Sequence, residues 1–241
     1  MKLPRYKRES AVSYALGATL VHELTHTHPE LITRVFLRKS TKYGDDLTTL
    51  LKGLCARHIE IIESAKAFNI LAAKNDCLLI AEFQKPSATL ANTPDAPQLV
   101  LVNPSDAGNL GAIMRSAVAF GYQDISIITP AVDYLSPKTI RASMGAIFHL
   151  NIQAFSSFDL YRTSQPTRTL YAFMLDKTAM ELSDLHPRDN NYALIFGNEA
   201  SGLPKSFTTI AQPIFIPQSS KVDSLNLSVA TSIALYQLRQ Q

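Results

Sequence analysis

Short apolar runs separated by helical stretches are the feature of this sequence that most constrains its fold. Beyond residue 98, such runs occupy Leu99–Val102, Ile125–Ile128, Leu170–Leu175, Ala193–Phe196 and Ile214–Ile216. Runs this short and this apolar are typical of strands that are buried on both faces of a parallel sheet. Helices are predicted at Leu110–Gly121, at Pro137–Ser143 and from about Leu225 to Leu238. The sequence therefore predicts an α/β domain with a parallel, Rossmann-like sheet over residues 98–241.

The first part of the chain is predicted to form a separate, smaller α/β domain over residues 1–85. The expected helices are Val12–Glu23 and Leu47–Leu54, and the expected strands are Val35–Leu37, Glu60–Ile62 and Leu78–Phe83. A composition break with three prolines follows at Lys85–Pro97. Residues 86–97 are therefore predicted to link the two domains.

Composition excludes several classes of protein. Of the 241 residues, 46% are hydrophobic and 18% are charged, as in an ordinary globular chain. No apolar run is long enough to span a bilayer, and the basic start lacks the apolar core of a secretory signal. Cys55 and Cys77 provide neither a disulfide framework nor a paired metal motif. We therefore expect a cytoplasmic protein with no membrane partner and no bound metal.

The small excess of positive charge lies in the first half of the sequence. Residues 1–95 carry 13 basic and 10 acidic side chains, whereas residues 96–241 carry 10 of each. Lys2, Arg5, Lys7 and Arg8 crowd the start of the chain. This arm is suited either to contact with phosphates or to a solvated tail, and charge alone leaves both open.

Three segments at strand ends carry candidate functional residues. In Asn103–Gly121, glycines between a strand and a helix allow backbone amides to approach a ligand, and Arg115 lies off the apolar face of the helix. In Ala193–Pro204, an apolar strand runs into Gly197, Asn198 and Glu199. In Ile214–Tyr236, a polar loop precedes a helix, with Asp223 or Ser224 as the expected N-cap. That helix is apolar nearly all round, which predicts burial on two sides, either at a dimer interface or inside a fold that wraps around the helix.

Taken together, the three segments resemble the SpoU (TrmH) family of RNA ribose methyltransferases within the SPOUT superfamily. The resemblance covers about residues 99–238. It lies first in an N-x-G-x-x-x-R motif at Asn109, Gly111 and Arg115, and second in a G-x-E-x-x-G motif at Gly197, Glu199 and Gly202. The third is an I-P…S-L-N-x-S-x-A motif at Ile216, Pro217, Ser224, Leu225, Asn226, Ser228 and Ala230. The first domain, starting at Ser13–Leu20, looks like the L30e-like RNA-binding domain of many members.

The resemblance implies a C-terminal trefoil knot that binds S-adenosylmethionine, and a homodimer acting on ribosomal RNA more than on transfer RNA. Carried over residue by residue, the cofactor contacts are Gly197, Asn198, Ile216 and Leu225. Asn198 stands where many members have serine. The catalytic residue implied is Arg115, and the supporting polar residues are Asn109, Glu199, Ser224 and Asn226.

The chemistry implied by the resemblance is transfer of a methyl group to a ribose 2′-hydroxyl. The transfer needs the hydroxyl oxygen to be aligned with the methyl group and the hydroxyl proton to be removed. Arginine stays protonated in proteins, so Arg115 is a poor base. We expect Arg115 to clamp a phosphate and stabilise the forming alkoxide, while Glu199 or a phosphate oxygen accepts the proton.

Three alternatives come from other classes of protein. His22, Glu23 and His26 match H-E-x-x-H, a zinc peptidase pattern, although Pro29 ends that helix soon afterwards and no third ligand stands out. A nicotinamide-dependent dehydrogenase would need a complete G-x-G-x-x-G motif, and only Gly108 and Gly111 are present. A non-catalytic RNA-binding module would retain the fold without binding S-adenosylmethionine.

Overall fold

The computed structural model describes residues 5–39, 43–71, 77–86, 93 and 95–239. The chain divides into two compact units, and the second unit is interrupted by a segment of the first. The first unit comprises residues 1–87 and 133–148, and the second comprises residues 88–132 and 149–241. Most of the predicted linker at 86–97 lies outside the described residues. The predicted domain boundaries therefore stay a prediction.

The first unit is built on a mixed four-stranded sheet. Its elements in chain order are β1 (Val12–Leu16), α1 (Ala18–Thr27), β2 (Ile32–Leu37), α2 (Asp45–Ala56), β3 (Ile61–Glu63), α3 (Ala65–Ile70) and β4 (Leu79–Gln84). The strand order is β1-β4-β2-β3, antiparallel except for the parallel pair β2 and β3. Aromatic and aliphatic side chains from β1, β2, β4 and α3 form its core, among them Tyr14, Phe36, Phe68 and Ile80.

The predicted helix at Val12–Glu23 is wrong in its first half. Residues Val12–Leu16 form β1 and pair along β4, and the helix begins only at Ala18, after Gly17. Tyr14 and Ala15 are fully buried by this pairing. Strand pairing with a segment some 70 residues away therefore overrides a local pattern that favours a helix.

The second unit contains the predicted parallel sheet. Its elements are β5 (Gln98–Val102), α4 (Ala107–Ala119), β6 (Asp124–Ile128), β7 (Asn151–Phe155), α6 (Phe158–Ser164), β8 (Thr169–Phe173), β9 (Met180–Glu181), β10 (Tyr192–Phe196), β11 (Gln212–Phe215) and α7 (Leu227–Gln237). Between β6 and β7 the chain forms α5 (Pro137–Ala142), which belongs to the first unit. Four 3-10 helices occupy Pro29–Leu31, Ala146–His149, Leu182–Asp184 and Lys205–Thr209.

All seven strands of this sheet run parallel, in the order β7-β6-β5-β10-β8-β11-β9. Every residue of β5, β6 and β10 is buried, which confirms strands covered on both faces. The helix α4 packs against α7. The C-terminal trefoil knot stays a prediction.

The apolar patterns located most elements but missed the less apolar ones. The strand β7 and the helix α6 were not predicted, and β7 is only partly buried. None of the helices in the described part of the chain combines the length and apolar character needed to span a membrane.

Candidate active site

An open cavity lies at the carboxyl ends of three strands of the second unit. Its volume is about 800 Å³, and its lining residues come from three stretches, within 173–178, 196–208 and 216–230. These stretches follow β8, β10 and β11. Parallel strands end at the same edge of a sheet, so segments far apart in sequence meet there, and α/β sheets place their ligands at this edge.

Gly197 allows the chain to fold back sharply where β10 ends. A Cβ atom on this residue would lie 2.2 Å from the carbonyl carbon of Gly202, far inside van der Waals contact. The amide of Gly202 donates to the main-chain oxygen of Asn198 at 2.9 Å and closes the loop. Only glycine fits this close approach of two backbone segments, and the resulting loop forms one wall of the cavity.

Asn198 also lines the cavity, but its side-chain amide is occupied within the protein. Its Nδ2 donates to the main-chain oxygen of Asn103 at 2.8 Å, and its Oδ1 accepts from the amide of Ala200 at 2.9 Å. Asn198 therefore ties the loop after β10 to the loop after β5. Its predicted contact with a cofactor stays a prediction.

Both carboxylate oxygens of Glu199 accept hydrogen bonds, three at Oε2 and two at Oε1, and one of those at Oε2 comes from Nδ2 of Asn198 at 3.4 Å. Oε2 accepts from the amide and the hydroxyl of Ser105 at 3.0 and 2.8 Å. Oε1 accepts from the amide of Asp106 at 3.1 Å and from Nδ2 of Asn109 at 3.3 Å. Burial raises the pKa of Glu199, but its own backbone amide, Ser105 and Asn109 stabilise the charged form, and the net pKa lies below its ordinary value. Glu199 is therefore held as a carboxylate that is a weak base.

Asn109 and Asn226 extend this network to the last helix. Nδ2 of Asn226 donates to Oδ1 of Asn109 at 3.0 Å. Oδ1 of Asn226 accepts from the amides of Ser228 and Val229 at 2.8 and 3.4 Å, so Asn226 is the N-cap of α7. The predicted N-cap, Asp223 or Ser224, is wrong, because the helix begins two to three residues later.

Ile216, Ser224 and Leu225 line the third side of the cavity. The main chain of Leu225 forms no hydrogen bond with other residues in the described ranges, so its amide and carbonyl are available to a ligand. Phe173 and Phe196 also line the cavity, and their rings stack with centroids 4.2 Å apart. The cavity thus combines apolar surface with main-chain polar groups that have no protein partner.

Arg115 lies apart from the cavity within one chain. It is exposed on α4, less than two turns after Asn109, and is not among the lining residues. Among the residues that the structure describes, its guanidinium has no hydrogen-bond or ion-pair partner. The other predicted site residues either line the cavity or, as Asn109 and Asn226 do, connect to it through Glu199, whereas the Arg115 guanidinium is free.

The residues that sequence reasoning missed lie in the loop after β5. Ser105 and Asp106 hold the Glu199 carboxylate, and the side chain of Asp106 also caps α4 by accepting from the amide of Asn109 at 2.8 Å. An aspartate immediately before a helix is an N-cap pattern that could have identified Asp106. Ser105 had only its position beside a strand end as a signal.

The H-E-x-x-H residues lie on α1 of the first unit. The His22 and His26 rings face each other with centroids 4.0 Å apart, and Nδ1 of His26 lies 2.9 Å from the main-chain oxygen of His22. No group of three or more histidine, cysteine or acidic side chains suited to a metal ion occurs in the described ranges. The geometry gives a zinc peptidase no support.

The fully parallel sheet and the cavity walled by three strand-end loops define an α/β protein with its ligand site at the carboxyl ends of the strands. Residues 96–236, more than half of the chain, match the profile of the SpoU rRNA Methylase family. The chain belongs to this family.

Similar proteins agree with that assignment. The chain is 32% identical over 148 residues to an uncharacterized tRNA/rRNA methyltransferase of Synechocystis, a match that spans 59% of this chain and only 53% of that relative. It is 25% identical over 229 residues to the 23S rRNA (guanosine(2553)-2'-O)-methyltransferase RlmP of Bacillus subtilis, spanning 92% and 86% of the two chains. An AdoMet-bound rRNA methyltransferase from Sinorhizobium meliloti shares the fold, with a TM-score of 0.79, 24% identity and coverage of 95% and 87%.

Proposed function

We propose that this protein transfers a methyl group from S-adenosylmethionine to a ribose 2′-hydroxyl of RNA, with ribosomal RNA favoured over transfer RNA. The observation that carries the proposal is the cavity at the strand ends, which is lined by the second and third motif segments. The first motif segment is tied to it by the hydrogen bonds of Asn109 with Glu199 and Asn226. The relative from Bacillus subtilis is named as a 23S rRNA 2'-O-methyltransferase, and its match extends over nearly the whole chain.

The residues of the cavity fit S-adenosylmethionine. The unpaired main chain of Leu225, with the main chains of Gly197 and Ile216, would hold the polar parts of the cofactor, and the apolar walls suit its adenine. A volume of about 800 Å³ falls in the range usual for pockets that bind small molecules. When bound, the cofactor supplies an electrophilic methyl group on a sulfonium sulfur.

We assign the polar residues different parts in the reaction. The free guanidinium of Arg115 clamps a substrate phosphate and stabilises the forming alkoxide, since its planar fork donates two parallel hydrogen bonds. The expectation that Glu199 accepts the proton fits the structure poorly, because five hydrogen bonds from Ser105, Asp106, Asn109 and Asn198 already occupy its two oxygens. Glu199 instead orients Asn109 and the start of α4, and a phosphate oxygen of the substrate accepts the proton.

A homodimer is part of the proposal, and its interface is the exposed face of α4 and α7. Apolar side chains on this face remain open to solvent: Val118, Val229, Ile233 and Tyr236 are between 37% and 57% exposed. The two helices pack on each other and still leave these side chains exposed, so the second buried face predicted for α7 requires another chain. A second copy supplies the same apolar surface and closes the interface by symmetry.

We further propose that the first unit is an L30e-like domain that binds the RNA substrate, and that residues 98–241 carry the catalytic domain with its knot. The first unit has 15 lysines and arginines against 10 acidic residues, a net charge of +5, whereas the second has 8 against 10, a net charge of −2. A basic first unit suits the binding of a polyanionic substrate. A cytoplasmic location, where ribosomal RNA is made, goes with this assignment.

The test is transfer of a radiolabelled methyl group from S-adenosylmethionine to purified bacterial ribosomal RNA, followed by mapping of 2′-O-methylated positions. We expect incorporation at a ribose, and none with Arg115→Ala. Calorimetry with S-adenosylmethionine separates the alternative, since a non-catalytic RNA-binding module would bind RNA but not the cofactor. Methyl groups found on bases rather than riboses would also contradict the proposal.

A further inference from the structure

The short helix α5 and the turn after it carry three exposed side chains. Lys138 and Arg141 are three residues apart on the helix, so they are neighbours on its surface, and the exposed Met144 follows in the turn. The amide of Met144 donates to the carbonyl of Arg141 at 3.1 Å, and Met144 has a φ of +51°, which ends the helix. Met144 leaves 51% of its surface exposed, although it is a large apolar residue.

The opposite face of α5 is fixed inside the first unit. Thr139, Ile140 and Ser143 are fully buried, and the helix packs against β1. Gly145 follows with a φ of +92°, and a Cβ there would lie 2.8 Å from Cγ of Glu23. The segment after Met144 is therefore packed tightly, and the exposed side chains project from a helix whose other face is buried.

The two cations of this surface have no charge partner among the described residues. Neither the Lys138 ammonium nor the Arg141 guanidinium forms a hydrogen bond or an ion pair there. They also belong to the unit with the net charge of +5. Unpaired, exposed cations on a positively charged unit attract a polyanion, and the neighbouring apolar side chain of Met144 can contact a nucleobase.

We propose that Lys138, Arg141 and Met144 form an RNA-contact surface of the first unit, defined here as the α5 surface. Lys138 and Arg141 bind backbone phosphates of the substrate RNA, and Met144 packs on an unstacked base. This inference rests on the proposed function, since it names where that RNA substrate is held. It assigns an RNA-binding role to a segment that lies within the methyltransferase part of the sequence.

The experiment measures the affinity of the full-length protein for purified bacterial 23S ribosomal RNA over a range of salt concentrations. In Lys138→Ala/Arg141→Ala, loss of two phosphate contacts lowers the slope of log affinity against log salt by about 1.4–1.8, which weakens binding about 20- to 60-fold at 0.1 M salt. Met144→Ala weakens binding without changing the slope, because it removes no charge. S-adenosylmethionine affinity, measured by calorimetry, stays at the wild-type value.

The matched control is Lys52→Ala/Lys66→Ala, which removes two exposed lysines from α2 and α3 of the same unit. If the α5 variant and this control lose the same affinity, only total charge matters and the α5 surface is refuted. Equal losses of RNA and cofactor affinity in the α5 variant would refute it too. Wild-type protein that neither binds nor methylates ribosomal RNA would overturn the proposed function itself, and the inference with it.

Discussion

Replacing Glu199 with glutamine tests whether this carboxylate acts as a support or as a base. Glutamine has nearly the same shape, but only one of its two terminal atoms accepts hydrogen bonds. Its NH₂ group would face either the two donors of Ser105 or those of Asp106 and Asn109. At least two of the five hydrogen bonds are therefore lost, and the NH₂ group faces other donors.

The size of the effect follows from those bonds. A hydrogen bond to a charged group contributes about 1.5–3 kcal/mol, and water at this partly exposed site replaces part of the loss. We expect a net destabilisation of about 2 kcal/mol. In a chain of this size that lowers Tm by about 4–8 °C. Glu181→Gln, which changes an exposed carboxylate on β9, serves as the control and leaves Tm unchanged.

The pH dependence gives a second measurement. Because the pKa of Glu199 is lowered in the folded protein, its stabilisation is full above the ordinary value of 4.5 and is lost as the pH falls through the folded pKa. The difference in Tm between wild type and Glu199→Gln therefore shrinks in acid. Thermal melting followed by circular dichroism measures this, together with kcat for methyl transfer. An unchanged Tm with a large fall in kcat would refute the supporting role and restore Glu199 as a base.

Three further substitutions test the other parts of the site. Arg115→Lys lowers kcat by about 100-fold or more in single-turnover methyl transfer and leaves RNA affinity unchanged, because the point charge of lysine does not replace the planar guanidinium of arginine. Near-full activity would contradict this. Gly197→Ala abolishes S-adenosylmethionine binding in calorimetry, since the added Cβ would lie 2.2 Å from the facing backbone. The control Gly53→Ala retains binding, because a Cβ there meets none of the described atoms within 4 Å. Ile233→Glu converts the dimer to a monomer in sedimentation analysis. The control Leu160→Glu changes a residue that is 55% exposed on another helix, and this variant stays a dimer. Equal masses for both variants would contradict the proposed interface.

Some features were determined by the sequence alone because they depend on local pattern. Uniformly apolar runs predicted the buried parallel strands, since only strands covered on both faces have that composition. Polar residues that directly follow those runs, such as Glu199 after β10, had to lie at one edge of the sheet. The resemblance to the family then predicted that Gly197, Ile216 and Leu225 share one site, and all three line the same cavity.

Other features were decided only by tertiary structure. Val12–Leu16 became a strand because β4 pairs with it, and no local signal carries that information. Asn226 caps α7 and reaches Asn109, 117 residues earlier in the chain, and Ser105 meets Glu199 across 94 residues. Hydrogen bonds over such separations depend on which strands become neighbours, so the partners of a polar residue follow from packing, whereas its place at a strand end follows from sequence.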